Sequence, residues 1–424
     1  MPSDERRNFL ALAGDFIFFG AGAAFASQTT VVPAFVAQLT GSAPLVGLAS
    51  TIAMGGWLLP QLFAANVFAA RRRKKPVVLV PAILGRGLAF LLAPVAFYLS
   101  GARPAAAAIA FFILYFAFYF TDGIASVSWL DLMAKCLHST LRTRLIGVGQ
   151  AGGSIAGIGS GILVGIILAS GMSFSRSFAL LFLLSAILMS LSVVSFCFLT
   201  EEPQETGQRP LPWSIYLGRL GGILKEDRDF RRTMVVQLLV GVGGAASPFY
   251  VIHGLEKLGF PEVSVGVFTS AQVAGSVVSA LLFGYIATRR GTRSVIRLCG
   301  ALALAMPLIA FGVRLVAGSL SLTLAMYIYS AVFVLVGAQG NGVTAGFINY
   351  VLEFAPTSNR ATYIGLANTL NSLALIAPLL AGLLLAAGGS YPLLFLLTAA
   401  APLAGMVLSL RLVEPRHRAN QTPP

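Results

Sequence analysis

Three long stretches of this 424-residue chain carry no charged side chain: Phe16 to Ala70, Leu315 to Leu352 and Ala361 to Leu410. A soluble domain of this size has no interior able to hold them, whereas a helix crossing a bilayer needs about 20 apolar residues. The chain is therefore expected to cross a membrane many times. Charged residues make up only 10% of it, against about 25% in an ordinary soluble domain. The 45 glycines suit helices that pack closely in lipid, where small residues let backbones approach.

Twelve spans are read, near 9–36, 44–69, 76–100, 104–130, 145–170, 177–199, 233–253, 263–288, 294–316, 321–348, 361–387 and 391–411. With the N-terminus placed in the cytoplasm, 24 of the 29 Lys and Arg residues fall in inside segments. Outside lie only Arg103, Arg176, Lys257 and Arg314, and Arg86 alone sits within a span. Such an excess marks the cytoplasmic side. The net charge of +14 is thereby topological, and no nucleic-acid partner is implied. The first 30 residues imitate a secretory signal, with Arg6 and Arg7 before an apolar stretch. Asp15 inside that stretch, and the equally apolar run behind it, argue for a retained first helix.

A polar segment over 200–232 divides the chain. It carries Pro203, Pro210 and Pro212 and six acids, and Leu211 to Leu224 reads as a surface helix with Trp213 and Tyr216 at the interface. The expected organisation is an N-terminal six-helix bundle over 1–199, a cytoplasmic central loop over 200–232, and a C-terminal bundle with a short cytoplasmic tail over 233–424. The halves repeat. Arg142-x4-Gly147 recurs as Arg360-x4-Gly365, and Arg71-Arg72 as Arg289-Arg290, each 218 residues apart. Two bundles in the same orientation form a parallel repeat, one of the known transporter plans.

At these positions the chain resembles the major facilitator superfamily, over nearly its whole length. The signature loop between that family's second and third helices reads G-x-x-x-D-[RK]-x-G-[RK]-[RK] and often recurs between the eighth and ninth. The second copy here is Gly284-x3-Thr288-Arg289-x-Gly291-Thr292-Arg293, and the first is Asn66-x3-Ala70-Arg71-x-Arg73-Lys74-Lys75. Both lack the acid that the resemblance assigns to locking the cytoplasmic gate. The resemblance implies an all-α membrane protein of twelve transmembrane helices in two pseudo-symmetric bundles. It also implies a gate built from Arg71, Arg73, Arg142, Gly284, Arg289, Gly291, Arg293 and Arg360. Asp131 and Glu353 stand at helix ends where pairing with those cations competes with plain solvation. The family's antiporter signature, a Gly-Pro pair in helix five, is missing. Glu201-Glu202-Pro203 and Glu414-Pro415-Arg416 echo the acid-Pro endings of sugar porters.

Charges inside a membrane are expensive and face protein or a water-filled cavity. Asp15, Arg86 and Asp122 are expected roughly 9–15 Å from the cytoplasmic ends of spans one, three and four, counting about 1.5 Å per residue. Their counterparts 218 residues on are Thr233, Leu304 and Gly340, so the charge belongs to the N-terminal half. In span four, Tyr115, Tyr119, Asp122, Ser126 and Trp129 share one face by their spacing. The resemblance places helices one, four, seven and ten around a central cavity. Gln237 of span seven and Tyr327, Ser330, Asn341 and Thr344 of span ten would complete it. Asp122, with Asp15 and Arg86, then either exchanges a proton as the cavity alternates or forms a static pair holding helices together.

The function expected is secondary-active transport of a small organic solute by alternating access, with proton-coupled export of a lipophilic or weakly cationic compound. A sugar or metabolite symporter and a lipid flippase remain alternatives on the same fold, and a non-transporting membrane sensor is the rival from another class. An enzyme is not expected. Cys136, Cys197 and Cys299 show no metal spacing, and His138, His253 and His417 read as span-end or loop residues with no carboxylate at ligand distance. No metal or cofactor is expected. The partners are the substrate, protons and the lipid bilayer of the inner membrane, with both termini cytoplasmic and the chain a monomer.

Overall fold

The protein is seen here as a computed structural model describing residues 3–68, 71–203, 223–225, 227–355, 363, 366–367 and 370–414. Among these residues all regular structure is helical, and eleven stretches are long and apolar enough to cross a membrane. The long helices are α1 Ser3–Phe25, α2 Val31–Thr40, α3 Ala43–Phe68, α4 Lys75–Phe90, α5 Pro104–Cys136, α6 Ser139–Leu168 and α7 Phe174–Cys197. They continue as α8 Arg228–Val242, α9 Ser247–Ile252, α10 Val263–Arg290, α11 Thr292–Val316, α12 Leu322–Gly342, α13 Asn349–Phe354, α14 Ala377–Ala386 and α15 Tyr391–Ser409. The outer faces carry large apolar side chains, Ile113, Ile155 and Leu281 among them. This is the reverse of a soluble surface and suits acyl chains. The chain is an integral membrane protein.

Several boundaries differ from the sequence reading. The expected first span, 9–36, is two helices. α1 ends at Phe25, residues 26–30 turn, and α2 begins at Val31, with Pro33 in its first turn where a missing N–H costs nothing. α2 then ends at Gly41, whose φ of 60° supplies the left-handed stop that lets its N–H reach the Ala37 carbonyl. The seventh crossing starts earlier than expected because Asp227 caps α8, its Oδ1 accepting from the amides of Asp229 and Phe230 at 3.1 and 2.9 Å. The same crossing runs on to Lys257 through a π-helical turn at His253–Lys257. Of the eleventh expected span only part is described, as a short apolar helix over Ser372–Ala386. Of the expected interfacial helix over Leu211 to Leu224 only residues 223 and 224 are described, and both are helical; Trp213 and Tyr216 lie outside the described residues.

The chain divides into two compact units, Met1–Pro210 with Pro261–Ser270, and Leu211–Phe260 with Ala271–Pro424. In the first, α1 packs along α6 and α7, and α5 along α3 and α4. Glycine makes these contacts possible. A Cβ on Gly153 would sit 2.9 Å from the Phe16 carbonyl oxygen, and one on Gly123 would sit 2.3 Å from that of Trp57. Facing helices thus touch backbone to backbone. In the second unit, α11 packs against α12 and α15, and α8 against α15.

Candidate functional site

Close approach of α1 to α7 decides where Asp15 goes. Gly14 and Gly22 leave no room for a Cβ against Ser195 and the Ser185 carbonyl, and Ser185 Oγ donates to the Gly22 carbonyl at 2.8 Å. Asp15 is thereby held against α7 on one side and α5 on the other. Its Oδ1 accepts from Ser192 Oγ at 2.5 Å and its Oδ2 from Trp129 Nε1 at 2.8 Å. The Trp129 ring meets Phe16 edge-on, centroids 5.1 Å apart.

Arg86 of α4 donates from Nη1 to Asp122 Oδ1 of α5 at 2.7 Å, and the two side chains are only 7% and 13% exposed. Its guanidinium carbon lies 5.4 Å from the Phe19 centroid and 5.3 Å from that of Phe118. A cation in that position gains from the ring quadrupoles as well as from the carboxylate. All three ionisable groups line one cavity of about 410 Å³ inside the first unit. Its walls come from α1, α3, α4, α5 and α7 and are mostly apolar, with Phe16, Phe19, Trp57, Trp129 and Phe196 supplying aromatic surface. The charge count there is two carboxylates against one guanidinium. Arg86 is committed to Asp122, and among the described residues Asp15 has only neutral donors at bonding distance. The size and lining fit a small organic molecule.

Asp122, Ser126 and Trp129 of the predicted helix-four face reach this cavity, together with Asp15 and Arg86. Tyr115 and Tyr119 do not line it: Tyr115 stacks on Phe111 at 5.0 Å, and Tyr119 meets Tyr115 edge-on at 4.9 Å. In the second unit, Gln237 is buried with its Oε1 unpartnered. Asn341 Nδ2 donates to the Ser276 carbonyl and to Ser279 Oγ, tying α12 to α10. Tyr327 is 58% exposed, and Ser330 Oγ donates back to its carbonyl. The side chain of Thr344 lies outside the described residues.

His253, read as a span-end residue, is fully buried. Tyr329 Oη donates to the Tyr250 carbonyl at 3.0 Å and lies 3.1 Å from His253 Nδ1. A hydroxyl whose proton is spent on a carbonyl accepts from the ring, which places the imidazole proton on Nδ1. No carboxylate or guanidinium is among these three residues.

Of the expected gate residues, Arg71 and Arg73 are exposed, and Arg142 is partly buried. Gly284 is exposed, and Arg289 lies over the Tyr285 ring at 5.8 Å. Glu353 Oε2 accepts from Thr292 Oγ1 at 2.9 Å. Arg360, and the side chain of Asp131, lie outside the described residues. The loops gain acids from elsewhere in the chain. Glu201 accepts from the amide of Lys74 at 2.6 Å and that of Lys75 at 2.7 Å, at the start of α4. Glu414 accepts from the Arg293 amide at 3.2 Å, at the start of α11. Gly291, with φ of 83°, lies so close to that carboxylate that a Cβ would meet it at 2.3 Å. Both glutamates put negative charge where a helix start favours it.

Sequence reasoning missed Ser192, Trp57 and Gln61 as site residues. The one signal for Ser192 was its spacing of seven from Ser185, which puts both on one face of α7.

A family model described as Major Facilitator Superfamily matches residues 15–377. The chain belongs to this superfamily. A crystal structure of the nucleoside transporter NupG superposes with a TM-score of 0.71 at 15% identity, covering 95% of this chain and 99% of that one. The crystal structure of a D-xylose-proton symporter gives 0.71 at 14% identity, covering 98% and 99%. A bacterial homologue of the human lysosomal transporter Spinster gives 0.64 at 13% identity, covering 98% and 96%. At such identities the likeness speaks for the superfamily's fold and not for its cargo. Uncharacterized proteins of Mycobacterium tuberculosis and Mycobacterium bovis are 25% identical over 251 residues, 58% of this chain and 47% of theirs. This superfamily member thus spans about half the length of the curated relatives it matches.

Proposed function

We propose that the chain is a secondary-active transporter that works by alternating access and exports a small lipophilic or weakly cationic solute in exchange for protons. It sits as a monomer in the cytoplasmic membrane with both termini inside. The observation that carries this reading is the uncompensated carboxylate of Asp15 in an aromatic-walled cavity. A buried acid with no fixed counter-ion is a place where a proton or a substrate cation supplies the missing charge. Spacing along span four, which sets Asp122 on one face with Tyr115, Tyr119, Ser126 and Trp129, favours Asp122. Its contact with Arg86 makes Asp15 the better carrier, because a carboxylate already neutralised by a guanidinium gains less from a proton.

The cavity wall favours this reading over a polar-solute symporter. A sugar-sized polar ligand needs several convergent donors and acceptors, whereas here most of the lining is carbon. The cation distribution between spans supports the orientation.

Proteoliposomes holding the full chain test the proposal. An imposed proton gradient is expected to drive uptake of a fluorescent lipophilic cation in the wild type. Asp15→Asn is expected to abolish the uphill component and leave exchange down a solute gradient. Uphill accumulation by Asp15→Asn at the wild-type level overturns the role of that carboxylate. Absence of gradient-driven flux in the wild type overturns the transport reading.

A further inference from the structure

We propose that the turn leading into α4 binds the phosphate of an anionic phospholipid through Arg71 and Arg73, with an acyl chain lying along the outer face of α4. This surface belongs to the first unit and shares no residue with the cavity that holds Asp15.

Five consecutive cations, Arg71 to Lys75, lead into α4. Two of them are engaged inside the unit. Lys74 Nζ donates to the Phe68 carbonyl at 2.6 Å, and Lys75 Nζ to those of Cys197 and Leu199 at 2.7 Å each. The acid at this turn is engaged as well. Glu201, with its side chain 3% exposed, accepts from the Lys74 and Lys75 amides and pairs with Lys135 Nζ at 3.4 Å. Arg71, Arg72 and Arg73 are exposed, and neither Arg71 nor Arg73 has a partner among the described residues. Lys135 Nζ also donates to the Arg72 carbonyl at 3.1 Å, which braces the turn that presents them. Guanidinium groups held out without an acid recruit an anion, and their planar fork fits two phosphate oxygens at once. The corresponding turn of the second unit is different: Arg289 lies over the Tyr285 ring, and Arg293 Nη1 donates to the Leu412 carbonyl.

The surface beyond the turn favours a lipid over a free anion. Val80, Ile83, Leu84, Gly87 and Leu91 follow at helical spacing, fall on one face and are all exposed. A Cβ on Gly87 would meet nothing within 4 Å, so the stripe carries a notch between Leu84 and Leu91. At 1.5 Å per residue, Val80 lies about 7 Å beyond Lys75, which matches the depth of a headgroup layer. The stripe then runs for about 16 Å, and the hydrocarbon of one leaflet is about 15 Å deep. Cations and apolar stripe are therefore spaced as the phosphate and chain of one phospholipid. Each arginine adds to the attraction for an anionic headgroup. A zwitterionic lipid brings its own ammonium, which the guanidinium groups repel.

Native mass spectrometry of the purified full chain tests this, in detergent micelles carrying equal amounts of dioleoyl phosphatidylglycerol and dioleoyl phosphatidylcholine. The wild type is expected to retain phosphatidylglycerol over phosphatidylcholine by about tenfold or more. Arg71→Gln combined with Arg73→Gln is expected to bring that ratio within about twofold of unity. Both side chains are exposed, so their loss leaves folding intact. Arg144→Gln combined with Arg290→Gln removes the same charge from other exposed positions and is expected to keep the wild-type ratio. Gly87→Leu fills the notch and is expected to weaken retention of the dioleoyl lipid about threefold. Dihexanoyl phosphatidylglycerol, whose chains end short of Gly87, is expected to bind that variant as it binds the wild type. A wild-type ratio near unity overturns the site, as does an unchanged ratio in the Arg71 and Arg73 double variant. An equal fall in the Arg144 and Arg290 control overturns it too, since any exposed cation would then serve. Displacement of phosphatidylglycerol by inorganic phosphate at about 10 mM overturns the lipid as occupant. Equal loss of the long and short lipids in Gly87→Leu overturns the acyl track.

Discussion

The two units satisfy their buried polar groups in different currencies. The first uses ions: Arg86 and Asp122 in contact, and Asp15 held by Ser192 and Trp129, all along one cavity. Within its described spans the second uses neutral groups. His253 and Tyr329 lead to the Tyr250 carbonyl, and the Asn341 amide reaches Ser276 and Ser279. Neutral bonds fasten helices at little desolvation cost. A buried ion demands a partner or a cavity and is worth retaining where its charge is used. The asymmetry teaches that the repeated architecture and the chemistry are separable. Both bundles hold their helices with similar glycine contacts, and among the described residues only the first sets charged side chains along a cavity between its spans.

The largest test of that difference is the ion pair. Arg86→Leu leaves Asp122 buried without its cation and is expected to cost about 3–5 kcal/mol, while adding Asp122→Leu restores most of it. Thermal unfolding of the two variants in detergent reads this directly, and strict additivity would mean that the pair does not act as a unit. Next comes Tyr329→Phe, expected to cost about 1–2 kcal/mol by stranding the His253 and Tyr250 ends of a neutral bond. Proton-coupled flux at saturating substrate is expected to survive it. Loss of coupling in that variant would erase the proposed division between the units. The smallest effect is shared by both. Glu201→Gln and Glu414→Gln each remove a carboxylate from a helix start and are expected to cost about 1 kcal/mol. Similar melting shifts would confirm matched roles, and a silent Glu414→Gln would make the correspondence superficial.

Much of the fold was legible because lipid imposes so simple a rule. An uncharged run of the right length spans, and cations stay on one side. Depth counting put Asp15, Arg86 and Asp122 at one level, and they do line one cavity. What stayed hidden follows from packing. Spacing shows that residues share a helix face but not which neighbour that face meets, so Tyr327, in line with Asn341 by period, is exposed whereas Asn341 is bonded to α10. A π-helical turn over Val343–Ile348 also shifts the register beyond α12, which a constant 3.6-residue period cannot anticipate. Ser192 and Gln61 are neutral polar residues on apolar helices, and only the arrival of Asp15 or a cavity gives them meaning. His253 reads as terminal because the apolar run ends there, yet the helix continues for one more turn over His253–Lys257.

The place of Glu414 has a practical side for anyone handling this protein. Arg293 Nη1 also donates to the Leu412 carbonyl, and Tyr350 Oη to that of Val413, so residues 412–414 are fastened into the second bundle. A reporter or purification tag joined at 411 would strip out an acid, two acceptor carbonyls and the filler beside Gly291 in one stroke. A junction placed after 414 keeps all of them, and engineers choosing where to cut should count from there.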